Sequence, residues 1–239
     1  MDSAEEDGGG VRLQLIAHRG ASREKPENTI SAFRRALELG ADGIELDVHA
    51  TRDGVVIVHH DPIPRARCDE RALAGRAIAE LTRAELDRFR VADSEPIPTL
   101  DEVLSLVDGR ADVYVEIKAS GIEAQVVDVI RGSPAPARCA VHSFDHRIPR
   151  NVRALAPEIR TGILLVSYLL DPGAALRDAG ALDLWQQWEL IDPPLVALAQ
   201  QSGARVIAWT VNDPHRARQL IDWGVDALCS DTLPTIRQA

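Results

Sequence analysis

Short runs of β-forming residues alternate with helical patterns along almost the whole chain, and this alternation limits the possible folds more than any other feature. Nine runs are strand candidates, at residues 11–17, 43–49, 55–58, 112–118, 138–143, 161–166, 182–186, 204–211 and 225–230. Asp-Pro pairs at 171–172, 192–193 and 213–214 predict three helix starts, because Asp caps a helix and Pro fits its first turn.

The third strand candidate is expected to return antiparallel to the second. Thr51-Arg52-Asp53-Gly54 places Asp-Gly between two apolar runs, which is a strong hairpin signal. Without residues 55–58, eight strands with intervening helices remain, which is typical of a (β/α)8 TIM barrel of the α/β class. A doubly wound open sheet is the alternative, but the sequence has no G-x-G-x-x-G or phosphate-loop motif. Residues 62–98 interrupt the alternation and predict a small insertion after the hairpin, with one helix over residues 82–89.

The charge balance and the cysteine content argue against several classes of protein. The chain has 27 basic and 37 acidic residues, a net charge of −10, and no basic stripe, so nucleic acid is not an expected partner. Three scattered cysteines without a CxxC motif argue against a disulfide framework or a thiolate zinc site. Residues 1–10 lack the features of a secretion signal, and no apolar run could span a bilayer. We expect a cytoplasmic protein without a transmembrane segment, with residues 1–10 disordered and residues 11–239 forming one domain.

Carboxylates occupy positions that should face the inside of the barrel. Side chains alternate along a strand, so Glu45 and Asp47 lie on the face opposite to their apolar neighbours. Glu116 and Lys118 repeat this pattern on a later strand. Three inward carboxylates are costly unless they are neutralised, either by neighbouring Arg and Lys or by a cation. The pattern favours a divalent cation with oxygen ligands at Glu45, Asp47 and Glu116.

Two histidines are expected beside this cluster. A turn centred between Arg52 and Asp53 would pair Glu45 with His60. His18 ends the first strand, at the carboxyl-terminal face where barrel enzymes hold their active sites. Two histidines near a cation suit a general acid and a general base.

Further side chains could bind an anionic substrate. Arg19 and Lys118 are inward cations that can clamp a phosphate, and they can also balance the carboxylates. Trp209 lies near the barrel mouth and could line the pocket or belong to the core. Glu27 could brace Arg19 or reach the metal site. His142 is expected to be an ordinary polar residue, although its position can face inward.

A set of motifs extends these features over residues 14–235. It comprises His18-Arg19-Gly20, Pro26-Glu27-Asn28-Thr29, Glu45-Leu46-Asp47-Val48, Thr51-Arg52-Asp53-Gly54, His60-Asp61, Ile97-Pro98-Thr99-Leu100, Glu116-Ile117-Lys118, Ser143-Phe144-Asp145 and Trp209-Thr210-Val211-Asn212. Together these motifs resemble those of the glycerophosphodiester phosphodiesterase family. Two segments depart from the pattern, residues 62–81 and Ala227–Asp231. We expect both to lie away from the chemistry, with residues 62–81 bordering the side that binds the alcohol.

The resemblance implies a barrel enzyme that hydrolyses a glycerophosphodiester, such as glycerophosphocholine, to sn-glycerol 3-phosphate and an alcohol. It implies one Mg²⁺ or Ca²⁺ ion on the three carboxylates, His18 and His60 as the acid and base, and Arg19 and Lys118 on the phosphate. The nucleophile could be water or the glycerol 2-hydroxyl. A lysophospholipase D is the nearest alternative, and a catalytically inactive phosphate-binding barrel is an alternative of another class.

Overall fold

The computed structural model describes residues 13–92 and 94–238, and within them eight parallel strands close into a barrel. The strands are β1 (Gln14–His18), β2 (Gly43–Ala50), β3 (Val56–Val58), β4 (Asp112–Ile117), β5 (Cys139–Ser143), β6 (Arg160–Leu165), β7 (Asp183–Gln187), β8 (Arg205–Trp209) and β9 (Ala227–Ser230). All except β3 form the barrel, which closes where β1 pairs with both β2 and β9. The predicted (β/α)8 barrel is confirmed. The segment expected to be disordered, residues 1–10, lies outside the described residues.

Among the described residues, seven helices connect the barrel strands and pack against their outer faces, one short helix lies in the insertion after β3, and one follows the last strand. They are α1 (Ile30–Glu38), α2 (Arg83–Leu86), α3 (Leu100–Val107), α4 (Glu123–Gly132), α5 (Arg147–Leu155), α6 (Pro172–Ala179), α7 (Pro193–Gln201), α8 (Pro214–Asp222) and α9 (Leu233–Ile236). The three predicted Asp-Pro starts are confirmed: Asp171, Asp192 and Asp213 each cap a helix by accepting backbone N–H bonds. None of the described helices has the length and apolar character needed to cross a membrane.

The hairpin after β2 has a different register from the one predicted. β3 pairs antiparallel with β2 as expected, but Val48 lies opposite Val58. The predicted pairing of Glu45 with His60 is therefore wrong by one residue, and β3 ends before His60. The loop is one residue longer than a two-residue turn, and Gly54 has a φ of +83°, a conformation that favours glycine.

The insertion that follows β3 packs around its own apolar cluster. The cluster contains Ile57, Leu73, Ile78, Leu81, Leu86, Phe89 and Ile97. The predicted helix over residues 82–89 is shorter, because only Arg83–Leu86 are helical and Arg90 already pairs with Arg67 in a β-bridge. Thr82 caps this short helix.

The side chains inside the barrel form successive layers along its axis, and these layers determine at which end a small molecule can bind. A polar layer lies at the amino-terminal end, where buried Asp183 accepts hydrogen bonds from Arg160 and Arg205. An apolar layer that includes Tyr114 and Trp185 follows it. Polar and charged side chains return above this layer, at the carboxyl ends of the strands. The closed lower end leaves the upper mouth as the side from which small molecules can reach these groups.

Candidate active site

A cavity of about 210 Å³ opens at the carboxyl-terminal mouth of the barrel. Seven of the eight predicted site residues line it: His18, Arg19, Glu45, His60, Glu116, Lys118 and Trp209. The eighth, Asp47, is fully buried just outside the lining. The structure therefore brings the predicted residues together, although they come from separate strands and loops.

Two glutamates and a histidine lie close enough together to bind one metal ion. Atoms of Glu45, Glu116 and His142 all lie within 4.8 Å of one another. Burial, followed by the charges of Asp47 and Glu116, raises the pKa of Glu45 well above its usual value. Burial and the charge of Asp47 raise the pKa of Glu116 to about 7, against the opposing effect of Lys118. The neighbouring cations therefore offset only part of the cost of ionising Glu45 and Glu116 in this buried place.

Asp47 lies outside that group of three and is held by cations. Its Oδ2 accepts a hydrogen bond of 2.8 Å from Asn28 and lies 3.2 Å from Nε of Arg19. Its Oδ1 lies 3.5 Å from Nζ of Lys118. Burial would raise the pKa of Asp47, but the charges of Arg19 and Lys118, with the Asn28 bond, lower it. Asp47 is thus ionised in a fully buried position.

These residues fit a divalent cation. Three carboxyl groups, Glu45, Asp47 and Glu116, face only two cations, Arg19 and Lys118, so full ionisation of the three would leave one negative charge without a basic partner. Buried Oδ1 of Asp47 has no hydrogen-bond partner among the described residues. Oxygen donors with surplus negative charge are what hard divalent cations bind.

His18 is held by a carboxylate from the other end of the chain. Its Nδ1 lies 2.7 Å from Oδ1 of Asp231, while its Nε2 lies 3.9 Å from Oε2 of Glu45. Burial opposes ionisation of Asp231, but hydrogen bonds from His18, Asn212 and Ser22 hold its pKa at about 2. The prediction that the last segment lies away from the chemistry is wrong. Asp231 directly follows β9, so the strand-end argument that placed His18 could also have placed Asp231.

His60 reaches the cavity from the turn after β3. Its Nδ1 lies 2.9 Å from Oδ1 of Asp61, and its carbonyl oxygen lies 3.1 Å from Nε2 of His49. Asp61 also forms an ion pair with Arg65. Both candidate catalytic histidines thus have a carboxylate on Nδ1, which fixes the ring and leaves Nε2 for the cavity.

Arg19 and Lys118 are fixed at the edge of the cavity. Nη1 of Arg19 donates a hydrogen bond of 3.0 Å to Glu27, so the predicted bracing of Arg19 by Glu27 is observed. Nζ of Lys118 lies 2.7 Å from Oε1 of Glu116. Two positive charges therefore stand beside the carboxylates, where they could contact an anion.

His142 is a cavity residue that the sequence analysis left as an ordinary polar side chain. It is 1% exposed, and its ring stacks on Trp185 at 4.2 Å and 7°. Burial lowers the pKa of His142 to about 3, so the imidazole is neutral. The inward position that the sequence allowed for His142 is therefore observed, with His142 of β5 beside Glu116 of β4.

Aromatic side chains form one wall of the mouth. Trp209 and Phe144 contact each other edge to face, with ring centroids 5.5 Å apart. Phe144 is 43% exposed, and Lys118 lies over its ring at 5.9 Å. Trp209 therefore lines the pocket, which was one of its two predicted positions.

Known proteins are similar to this chain over most of its length. The sequence model of the glycerophosphoryl diester phosphodiesterase family matches residues 18–235. A glycerophosphodiester phosphodiesterase of Caldanaerobacter subterraneus is 34% identical, over 95% of this chain and 97% of that protein. A probable glycerophosphodiester phosphodiesterase of Mycobacterium tuberculosis is 30% identical, over 97% of this chain and 95% of that protein.

Solved structures give the same result. A phosphodiesterase of Oleispira antarctica, solved with the product sn-glycerol-3-phosphate, superposes with a TM-score of 0.83 at 25% identity, covering 94% of this chain and 95% of that one. A putative glycerophosphoryl diester phosphodiesterase of Silicibacter pomeroyi gives a TM-score of 0.82 at 27% identity, covering 97% of this chain and 94% of that one.

Proposed function

The chain belongs to the glycerophosphoryl diester phosphodiesterase family and is a phosphodiester hydrolase, and from this membership we propose that it uses a divalent cation, Mg²⁺ or Ca²⁺, to cleave glycerophosphodiesters of small alcohols. Glycerophosphocholine is the expected type of substrate, with sn-glycerol 3-phosphate and the alcohol as products. The observation that carries the proposal is the pair of carboxylate-held histidines, His18 and His60, which face one cavity with Arg19 and Lys118.

The phosphate would lie against Arg19 and Lys118. Both side chains line the cavity, and each is held by an acidic partner, Glu27 or Glu116. Charge-assisted hydrogen bonds from these groups would orient the diester and stabilise charge on the phosphoryl oxygens in the transition state.

His18 and His60 would carry out the two proton transfers. One imidazole takes a proton from the nucleophile, which is water or the glycerol 2-hydroxyl, as that oxygen bonds to phosphorus. Attack by the 2-hydroxyl would give a cyclic phosphate, which water then hydrolyses to sn-glycerol 3-phosphate in a second step. The other gives a proton to the leaving alkoxide as the phosphorus–oxygen bond breaks. Asp231 and Asp61 would hold the Nδ1 proton of each ring, so that Nε2 carries the exchange.

Glu45, Asp47 and Glu116 are the proposed ligands of the cation. A bound divalent cation supplies Lewis-acid polarisation of a phosphoryl oxygen and orients the diester. With a cation bound, the burial and the mutual repulsion that raise the pKa of Glu45 and Glu116 would be offset.

A lysophospholipid is a second candidate substrate, favoured by apolar side chains near the mouth. Leu170 is 88% exposed and Val166 is 58% exposed, both in the loop that follows β6. Exposed Phe144 follows the neighbouring strand β5. These side chains could cover part of an acyl chain, at about 0.8 kcal/mol for each buried methylene. The insertion contributes less, because its large apolar side chains, Leu73 and Phe89 among them, are buried in its own cluster.

The test compares kcat/KM for glycerophosphocholine and lysophosphatidylcholine in detergent-free buffer, before and after chelation. We expect preference for glycerophosphocholine, loss of turnover with EDTA, and recovery with Mg²⁺ or Ca²⁺. Full activity after exhaustive chelation would exclude the cation requirement. A preference for the acylated substrate that Leu170→Gln removes, and that the control Leu198→Gln on α7 keeps, would establish the lysophospholipase D alternative instead.

A further inference from the structure

His142 occupies an unexplained position beside the carboxylates of the proposed cation site. We propose that His142 provides a nitrogen ligand to the cation bound by Glu45 and Glu116. The site would then also bind ions that favour imidazole, such as Co²⁺ and Zn²⁺, through both oxygen and nitrogen ligands. This inference rests on the cation site of the proposed function, and it adds a ligand of a different chemical class to the three predicted carboxylates.

The spacing of the three side chains suits a shared ion. Nε2 of His142 lies 3.9 Å from Oε1 of Glu45, which is too long for a hydrogen bond. The ligand atoms of Glu45, Glu116 and His142 lie within 4.8 Å of one another. Two atoms that each lie about 2.0–2.2 Å from one ion are at most about 4.4 Å apart, so movements of a few tenths of an ångström would suffice.

Hydrogen bonding does not account for the position of the His142 ring. Its Nδ1 is buried and has no hydrogen-bond partner among the described residues. Parallel stacking on Trp185 holds the ring plane. The other ring nitrogen, Nε2, is the one that lies 3.9 Å from Oε1 of Glu45, beyond hydrogen-bond distance.

A histidine ligand donates the lone pair of one ring nitrogen to the metal. Nε2 of His142, on the side of Glu45, is the nitrogen in position to do so. The alternative is a purely structural histidine that packs on Trp185 and binds nothing.

Imidazole changes which ions a site prefers. Carboxylates suit Mg²⁺ and Ca²⁺, whereas imidazole contributes mainly to the binding of ions such as Co²⁺ and Zn²⁺. Loss of the His142 nitrogen should therefore weaken Co²⁺ binding and leave Mg²⁺ binding nearly unchanged. If His142 were purely structural, its replacement would not weaken Co²⁺ binding more than Mg²⁺ binding.

The experiment measures metal binding directly, without turnover. Metal-free wild type, His142→Gln and the control His215→Gln, which changes an exposed histidine on α8, are titrated calorimetrically with Co²⁺ and with Mg²⁺. We expect His142→Gln to weaken Co²⁺ binding at least about 10-fold and Mg²⁺ binding less than about 3-fold, with no change in the control. Equal losses for both ions, or no loss for Co²⁺, would overturn the inference.

A spectroscopic measurement keeps the inference testable if His142→Gln does not fold. Wild type loaded with Mn²⁺ should show nitrogen coupling in pulsed electron paramagnetic resonance, and His142→Asn or His142→Gln should lose it. Mn²⁺ binding without nitrogen coupling, or coupling that persists in a folded variant, would overturn the proposed role of His142 but not the proposed cation site. A wild type that binds none of these ions would overturn the proposed cation site as well.

Discussion

Nδ1 of His18 lies 2.7 Å from Oδ1 of Asp231, although 213 residues separate the two in the sequence. The contact exists because β1 pairs with β9 where the barrel closes, with Ala17 beside Ser230. Asn212 and Ser22 also donate to the Asp231 carboxylate, at 2.8 and 3.3 Å. Asp231 is therefore a fixed anion that can hold the His18 ring in one orientation and one tautomer.

Replacing Asp231 by Asn should impair catalysis without unfolding the protein. The amide cannot enforce the Nδ1–H tautomer of His18, so we expect kcat to fall about 10²–10⁴-fold and its pH dependence to change. Steady-state kinetics measure kcat of the variant across a range of pH. Asp222→Asn, at an exposed carboxylate on α8, is the control. Unchanged kcat and an unchanged pH profile would remove Asp231 from the mechanism.

His18 and His60 should each be needed for turnover. We expect His18→Ala and His60→Ala to lower kcat about 10²–10⁴-fold, because each loses a positioned proton transfer. Circular dichroism should show that both variants fold, and His215→Gln should keep the wild-type rate. A rate near that of wild type in either alanine variant would reject the role of that histidine.

The metal-free protein should lose stability as the pH rises through neutrality. Burial and the charge of Asp47 raise the pKa of Glu116 to about 7, from a usual value of 4.5. Between these values the folded state holds a proton that the unfolded state has released, so the free energy of unfolding falls as the pH rises. Urea denaturation in EDTA at pH 5 and pH 8 measures this fall. Glu116→Gln should reduce it, and an equally steep fall in that variant would contradict the assignment to Glu116.

Gly43 should be intolerant of any side chain. A Cβ on Gly43 would lie 2.8 Å from Cε2 of Tyr114 in the barrel interior. We expect Gly43→Ala to lower the free energy of unfolding by about 1–3 kcal/mol through overpacking. Gly132→Ala is the matched control, because the end of α4 has open space there, and helix propensity predicts a gain of up to about 1 kcal/mol. Urea denaturation that shows equal effects of the two substitutions would contradict this explanation.

The sequence by itself determined the elements and the faces of the strands. Helix caps at Asp171, Asp192 and Asp213 depend on residues two or three positions away, so they can be read locally. The inward positions of Glu45 and Glu116 follow from the two-residue period of a strand. The barrel follows from the number and order of these elements.

Only the tertiary structure decided which distant side chains meet. The hairpin register depended on one additional loop residue, which was enough to separate His60 from the partner predicted for it. The contact of His18 with Asp231 and the position of His142 beside Glu45 arise when the closed barrel brings strand ends together. Local rules reach only a few residues along the chain, whereas these distances depend on strand pairing and packing across the whole barrel, so spacing in the sequence could not fix them.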